Sequence, residues 1–195
     1  DLFILSSCYY IMFVFMNNTM FEVEFRSRFD SQKYEALKVY LDRHAEKLGS
    51  DNKDCYYYIF PDKLLKLVHN TSKRTAKISL KLNRIGKGAV FPEIELYFSP
   101  EDFGTARELL NKLDLPAKVM HGPQERINYK YRNCEISLKY SEAWGYHMEI
   151  EQVVDKKEKS ADAEKYIRQV AEELGVKLMS EEELKEFTRK AESKI

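Results

Sequence analysis

The chain has 195 residues, which suits one domain with a small appendage and allows a core that needs no disulfide or metal staple. Lys plus Arg number 32 and so do Asp plus Glu, so the formal net charge is zero, which argues against a polycation made to coat nucleic acid. Only 7 Gly and 5 Pro exclude long low-complexity linkers. The three cysteines, Cys8, Cys55 and Cys134, are far apart and form no C-x-x-C, so they read as the thiols of a reduced, cytoplasmic protein.

Residues 2–16 carry no charge and fall short of the about 20 residues that cross a bilayer. No Lys or Arg precedes them as in a signal peptide. Residues 1–19 are expected to be an apolar leader outside the working domain of 20–195, with a membrane-attachment segment as the alternative. Phe21 to Arg26 alternates strictly, with Phe21, Val23 and Phe25 on one face and Glu22, Glu24 and Arg26 on the other, a strand period. A helix is predicted from about Asp30, its apolar stripe carried by Leu37, Leu41, Ala45 and Leu48 and its end at Gly49.

Strands are predicted at Cys55–Phe60, Leu64–His69, Lys77–Leu82 and Glu93–Leu96, with a turn at Arg84–Gly88. Ser99, Pro100 and Asp102 mark a helix start, and Pro116 ends that helix. More strands are expected at Arg126–Tyr131, Glu135–Tyr140 and Tyr146–Val154. Two C-terminal helices are predicted within 160–195, at about 161–174 and at 181–193, the second behind the capping box Ser180–Glu183.

Charge is unevenly spread. Residues 63–92 hold eight cations and no acid, a concentration that suits an anion site. Glu22-Val23-Glu24, Glu93-Ile94-Glu95 and Glu149-Ile150-Glu151 each place two carboxylates about 7 Å apart on one strand face. Lys66, Lys77, Lys81, Arg126 and Lys130 alternate in the same way. On any one strand this is an ordinary wet face whose charges pair across strands. Taken together, the apolar faces need covering by helices. A barrel of about eight strands with helices outside would turn the charged faces into its lumen. A lumen of Glu with Lys and Arg suits a polyanion with a divalent metal.

Glu22-Val23-Glu24-Phe25-Arg26 resembles the E-x-E-x-K signature of the CYTH family, the triphosphate tunnel metalloenzymes, which include class IV adenylate cyclases, thiamine triphosphatases and inorganic triphosphatases. Asp54-Cys55-Tyr56-Tyr57 resembles the family's D-x-Y-F strand, and Leu65-Lys66-Leu67 stands where an L-R-x-R strand is expected. Glu93-Ile94-Glu95 is similar to the R-x-E-x-E strand. Trp144 to Glu151 is similar to the L-G-x-F-x-E-I-E ending.

The resemblance implies an α+β fold around an antiparallel β-barrel, and a tunnel that binds a triphosphate with Mg²⁺ or Mn²⁺. It implies Glu22, Glu24, Glu149 and Glu151 as metal ligands, the first two also catalytic, and Arg26, Lys66, Lys81 and Arg126 as phosphate holders. Lys77, Glu93, Glu95 and Lys130 would line the lumen. The chain departs from the family at Val68 and Phe91, each in place of an Arg, and at Lys139, near where an Asp helps hold the metal. The expected activity is hydrolysis of a triphosphate, with adenylate cyclisation or a non-catalytic binding module as alternatives. The expected partner is a small molecule such as ATP, thiamine triphosphate or tripolyphosphate, with neither nucleic acid nor membrane, and homodimerisation is left open.

Overall fold

The computed structural model describes residues 21–82 and 93–192. The leader, the turn at Arg84–Gly88 and the Phe91 position lie outside the described residues. Nine strands and four helices follow one another as β1 (Phe21–Arg28), α1 (Ser31–His44), β2 (Glu46–Ser50), β3 (Lys53–Ile59), β4 (Leu64–Asn70), β5 (Thr75–Lys81), β6 (Glu93–Phe98), α2 (Phe103–Lys112), β7 (Lys118–Tyr131), β8 (Cys134–Ser141), β9 (Gly145–Val154), α3 (Ser160–Glu173) and α4 (Glu181–Glu192). No helix among the described residues is long and apolar enough to cross a membrane.

All strand pairs are antiparallel, in the order β1-β9-β8-β7-β3-β4-β5-β6, with β2 also on β7. The long β7 is the hinge of this sheet: its first half pairs with β3 and its second half with β8 and β2. The expected barrel, closed or nearly closed, is not closed among the described residues. β1 and β6 end the order and no pairing joins them among the described residues. Part of the reason is that the free edge of β1 is already engaged. The Met179 N–H donates to the Arg26 carbonyl at 2.8 Å, and Ser27 forms a bridge with Leu178. The α3–α4 connection thus satisfies backbone groups that would otherwise seek a strand.

The alternation on β1, β8 and β9 sorts side chains as strand geometry demands. Val23, Ile136, Leu138, Met148 and Ile150 point outward and are buried under α1 and α3, against Leu37, Leu41, Ile167 and Val170. A smaller core of Tyr58, Leu67 and Leu110 joins β3 and β4 to α2. On β6, Phe98 packs with α2 against the smaller core, but Ile94 and Leu96 remain 60% and 64% exposed, contrary to the expected cover.

Two predicted boundaries move. α1 stops at His44, and Ala45 to Ser50 turns into β2 instead of prolonging the helix, which leaves Leu48 exposed. Gly49, at φ +102°, sits where the β2–β7 register shifts, so it serves a bulge and not a helix stop. At the start of α2 a short 3₁₀ turn, Pro100–Asp102, intervenes, and the Ser99 side chain makes no capping bond. The capping box of α4 forms as predicted: the Glu183 N–H donates to Ser180 Oγ at 3.1 Å and the Ser180 N–H to Glu183 Oε2 at 2.8 Å.

Candidate triphosphate and metal site

The inward faces of β1 and of β3 to β9 line a single cavity of about 350 Å³. Glu22, Glu24 and Arg26 enter it from β1, Glu149 and Glu151 from β9, Arg126 from β7, Lys66 from β4, Lys77 and Lys81 from β5, and Glu95 from β6. Thus the sheet curls far enough to gather charged residues from opposite ends of the strand order. Lys130 is the exception: it is exposed at the far end of β7, outside the cavity lining, opposite Glu46 and Glu135 in register. Glu93 is opposite Lys81 in the β5–β6 ladder; its side chain lies outside the described residues.

One carboxylate cluster stands out. Oxygens of Glu22, Glu24 and Glu151 lie within 4.8 Å of one another. Register explains this: Glu24 is directly opposite Glu151 on β9, and Glu151 is directly opposite Glu135 on β8, so three acids form a row across three strands. Like charges placed opposite one another are unfavourable, which marks the row as something other than sheet stabilisation. The Glu24 side chain is only 4% exposed. Arg26 Nη2 lies against its Oε1, but off the line of a hydrogen bond, so this buried oxygen accepts none. Burial, and then Glu149, raises the Glu24 pKa well above the usual carboxylate range, against the opposing pull of Arg26. Burial followed by Glu22, Glu135 and Glu149 pushes Glu151 up to about 7. Three hard oxygen donors crowded together, with Arg26 against Glu24 as their one ion pair among the described residues, fit a divalent cation such as Mg²⁺ or Mn²⁺.

Glu149 behaves differently. Arg26 Nε donates to its Oε1 at 2.9 Å, and Lys139 Nζ donates to Oε2. Burial alone would raise the Glu149 pKa, but Lys139 and Arg26 outweigh it and hold the carboxyl well below its ordinary range. Burial pulls the Lys139 pKa down while Glu149 opposes that shift. The structure therefore brings Glu22, Glu24 and Glu151 together and sets Glu149 between Lys139 and Arg26, the latter shared with Glu24.

On β7, where it is opposite Lys139 in register, Arg126 is held by several polar partners. Its Nε donates to Asn128 Oδ1 at 2.6 Å and lies 3.3 Å from Asp51 Oδ2. Its backbone N–H donates to Asn52 Oδ1 at 3.0 Å. Lys77 pairs with Glu95, which also accepts from Tyr97 Oη at 2.9 Å. Lys66 and Lys81 complete the cationic wall from β4 and β5. Val68 lines the cavity beside them, in place of the cation that the resemblance leads one to expect.

Several site residues escape sequence reasoning. Lys53 lines the cavity and its Nζ is 3.0 Å from Asp51 Oδ2. Its alternation with Cys55 and Tyr57 on β3 was the available signal. Asp51, buried among Lys53, Lys73 and Arg126, carries no sequence signal of its own. At one side of the cavity Trp144 lies 5.5 Å from His147 and 5.0 Å from Phe187 of α4, whose neighbour Thr188 also lines the cavity. His147 Nδ1 donates to the Gly145 carbonyl at 2.9 Å, and burial together with Lys139 lowers its pKa to about 4, so the imidazole is neutral at pH 7.

No curated protein sequence matches the chain. Solved structures do. A protein from Pyrococcus horikoshii OT3 superposes with TM-score 0.65 at 24% identity, covering 81% of this chain and 94% of its own. A candidate adenylate cyclase from Vibrio parahaemolyticus gives TM-score 0.62 at 14% identity, with 82% and 93% covered. A candidate adenylyl cyclase from Hippeastrum, described as having a dominant triphosphatase activity, gives 0.59 at 13%, with 82% and 89% covered. At these identities the likeness speaks for the fold. The CYTH domain profile matches residues 20–185, nearly the whole of the described chain. The chain belongs to the CYTH domain family.

Proposed function

We propose that the protein binds the triphosphate group of a small molecule in this cavity, together with Mg²⁺ or Mn²⁺, and hydrolyses its terminal phosphate. The observation that carries this reading is the juxtaposition of a cluster of three carboxylates, Glu22, Glu24 and Glu151, with the cations Arg126, Lys66 and Lys81 in one cavity. Members of the same fold described as triphosphatase or adenylate cyclase support it.

Glu22, Glu24 and Glu151 would hold the cation; the buried, hydrogen-bond-free Oε1 of Glu24 fits that task. When bound, Mg²⁺ or Mn²⁺ supplies Lewis-acid neutralisation of phosphate charge. Arg126, braced by Asp51 and Asn128, presents a fixed guanidinium to phosphate oxygens. Lys66, Lys77 and Lys81 add charge along the opposite strands. These groups stabilise the negative charge that gathers on the departing diphosphate. Water attacks the terminal phosphorus, the bond to the bridging oxygen breaks, and the water's proton passes to Glu22, the exposed carboxylate of the cluster.

Cyclisation asks for more, since a ribose 3′-hydroxyl must be held about 3 Å from the α-phosphorus. The test is a panel of ATP, thiamine triphosphate and tripolyphosphate with Mg²⁺ or Mn²⁺, products separated by chromatography. Release of inorganic phosphate is the expected result. Cyclic AMP with pyrophosphate would establish a cyclase, and tight binding without any product would establish a binding module.

A further inference from the structure

Two carboxylates on one face of β9 have opposite surroundings. Glu149 is enclosed by two cations. Arg26 is directly opposite it on β1, and Lys139 reaches it diagonally from β8, where Ser137 is the direct partner. The Lys139 side chain is 6% exposed and that of Glu149 11%. Glu151, next along the same face, is flanked by Glu24 and Glu135, and no ion pair reaches it among the described residues.

We propose that Lys139 is a built-in cation that withdraws Glu149 from metal binding, so that the cavity takes a single divalent ion, at Glu22, Glu24 and Glu151. This inference depends on the metal-assisted reading above and sharpens it. Both Glu149 oxygens are engaged, one by the Arg26 guanidinium and one by the Lys139 ammonium. To ligate a metal, Glu149 would have to release them, leaving the buried Lys139 without a counter-charge and Arg26 with Glu24 alone. A divalent ion at Glu149 would also face an ammonium at contact distance. The Glu22, Glu24 and Glu151 cluster has the reverse balance, with Arg26 against Glu24 as its only ion pair among the described residues. Lys139 is thus a positioning and specificity-determining residue: it fixes how many metal ions the site accepts.

Counting bound Mn²⁺ on the full chain by electron paramagnetic resonance, with no substrate present, tests this directly. One Mn²⁺ per chain is expected. Glu151→Gln should weaken binding at least tenfold, while Glu149→Gln should change it less than threefold. Lys139→Met should raise the count to two, and Lys139→Arg should keep it at one. Because Glu149→Gln leaves two buried cations facing a neutral amide, circular dichroism must accompany it. Should that variant unfold, the double variant Lys139→Met with Glu149→Met removes the pair together and should still bind one ion. Two ions on the unaltered protein, a tenfold loss with Glu149→Gln or with the double variant, or a count of one with Lys139→Met would each overturn the inference. An unaltered protein that binds no Mn²⁺ would instead overturn the metal-assisted reading itself.

Discussion

Lys139 of β8 and Glu149 of β9 form an ion pair that crosses the ladder diagonally and is almost wholly shielded from water. Such a pair adds little net stability, because desolvating both charges offsets their attraction, yet removing one partner is severe. Its significance lies in the division of labour it imposes on β9: one carboxylate is neutralised from within the protein and the next is left for a ligand.

That ligand must compete with protons. Glu151 titrates at about 7, so half of its carboxyls are protonated near neutral pH. Glu24, raised to about 8, competes in the same way, so Mn²⁺ affinity should climb by up to about a hundredfold per pH unit where both carboxyls are protonated and level off only above about 9. The metal-free protein follows the opposite trend. Because the folded pKa lies above the ordinary value of 4.5, the stabilisation is full below pH 4.5 and is lost as pH rises through 7. Thermal melts at pH 5, 6.5 and 8 should show the metal-free protein weakening over this range, with Mn²⁺ restoring it. A Glu151→Gln variant should show a smaller pH trend, the share of Glu24 remaining, and a weaker restoration by Mn²⁺.

His147 sets an acid limit. Its pKa falls from 6.5 to about 4 because burial, then Lys139, disfavours the imidazolium; Arg26 adds to this, while Gly145 and Glu149 act the other way. The unfolded chain takes up the proton first, so stability is full above pH 6.5 and declines as pH falls towards 4. The loss is about 3 kcal/mol at most. Urea titrations at pH 7 and pH 4.5 should reveal it, and His147→Gln should remove most of the difference. An equal pH dependence in the variant would assign the acid sensitivity elsewhere.

Asp51 should matter far more than its sequence context suggests. It is buried against Lys53, Lys73, Arg126 and Asn70, whose Nδ2 donates to it at 2.5 Å. Asp51→Ala leaves the part-buried Lys53 and the Asn70 amide without their acceptor and should cost about 3–5 kcal/mol in urea unfolding. Asp51→Asn, which keeps the shape, should cost less. It should still weaken tripolyphosphate binding, read by calorimetry, because Arg126 loses a brace.

How much of this was written in the chain depends on what each feature requires. Alternation needs only neighbouring residues, so the inward faces of β1 and β9 were legible, with Glu22, Glu24, Glu149 and Glu151 on them. The Ser180–Glu183 capping box was legible for the same reason. β2 was not, because Ala45 and Leu48 continue the spacing of Leu37 and Leu41, and only pairing with β7 makes Glu46–Ser50 a strand. The contrast between Glu149 and Glu151 was hidden too. Both belong to one motif, and their separation depends on the register of β8 and β1 against β9, which no local pattern encodes. The barrel was expected from the charged faces shared by separate strands and from the family resemblance. The bonds from residues 177–179 to the edge of β1 could not be read from either.

Arg126 separates a site that reads phosphates from one that reads a whole nucleotide. Its guanidinium is fixed by Asn128 and Asp51, with Glu135 3.5 Å from Nη2, and it faces the cavity shared with Lys66 and Lys81. A group held this way discriminates charge and geometry at phosphate oxygens and has no means of sensing a base or ribose beyond them. Arg126→Ala should therefore weaken tripolyphosphate and ATP by the same factor, about tenfold to a hundredfold for the loss of a charge-assisted bidentate contact. Arg126→Lys should recover only part of it, since an ammonium cannot form the paired bonds. Calorimetric titration of both ligands on both variants, with melts to confirm the fold, measures this. A loss for ATP much larger than for tripolyphosphate would mean that Arg126 also positions the nucleoside, and would favour the cyclase over the hydrolase.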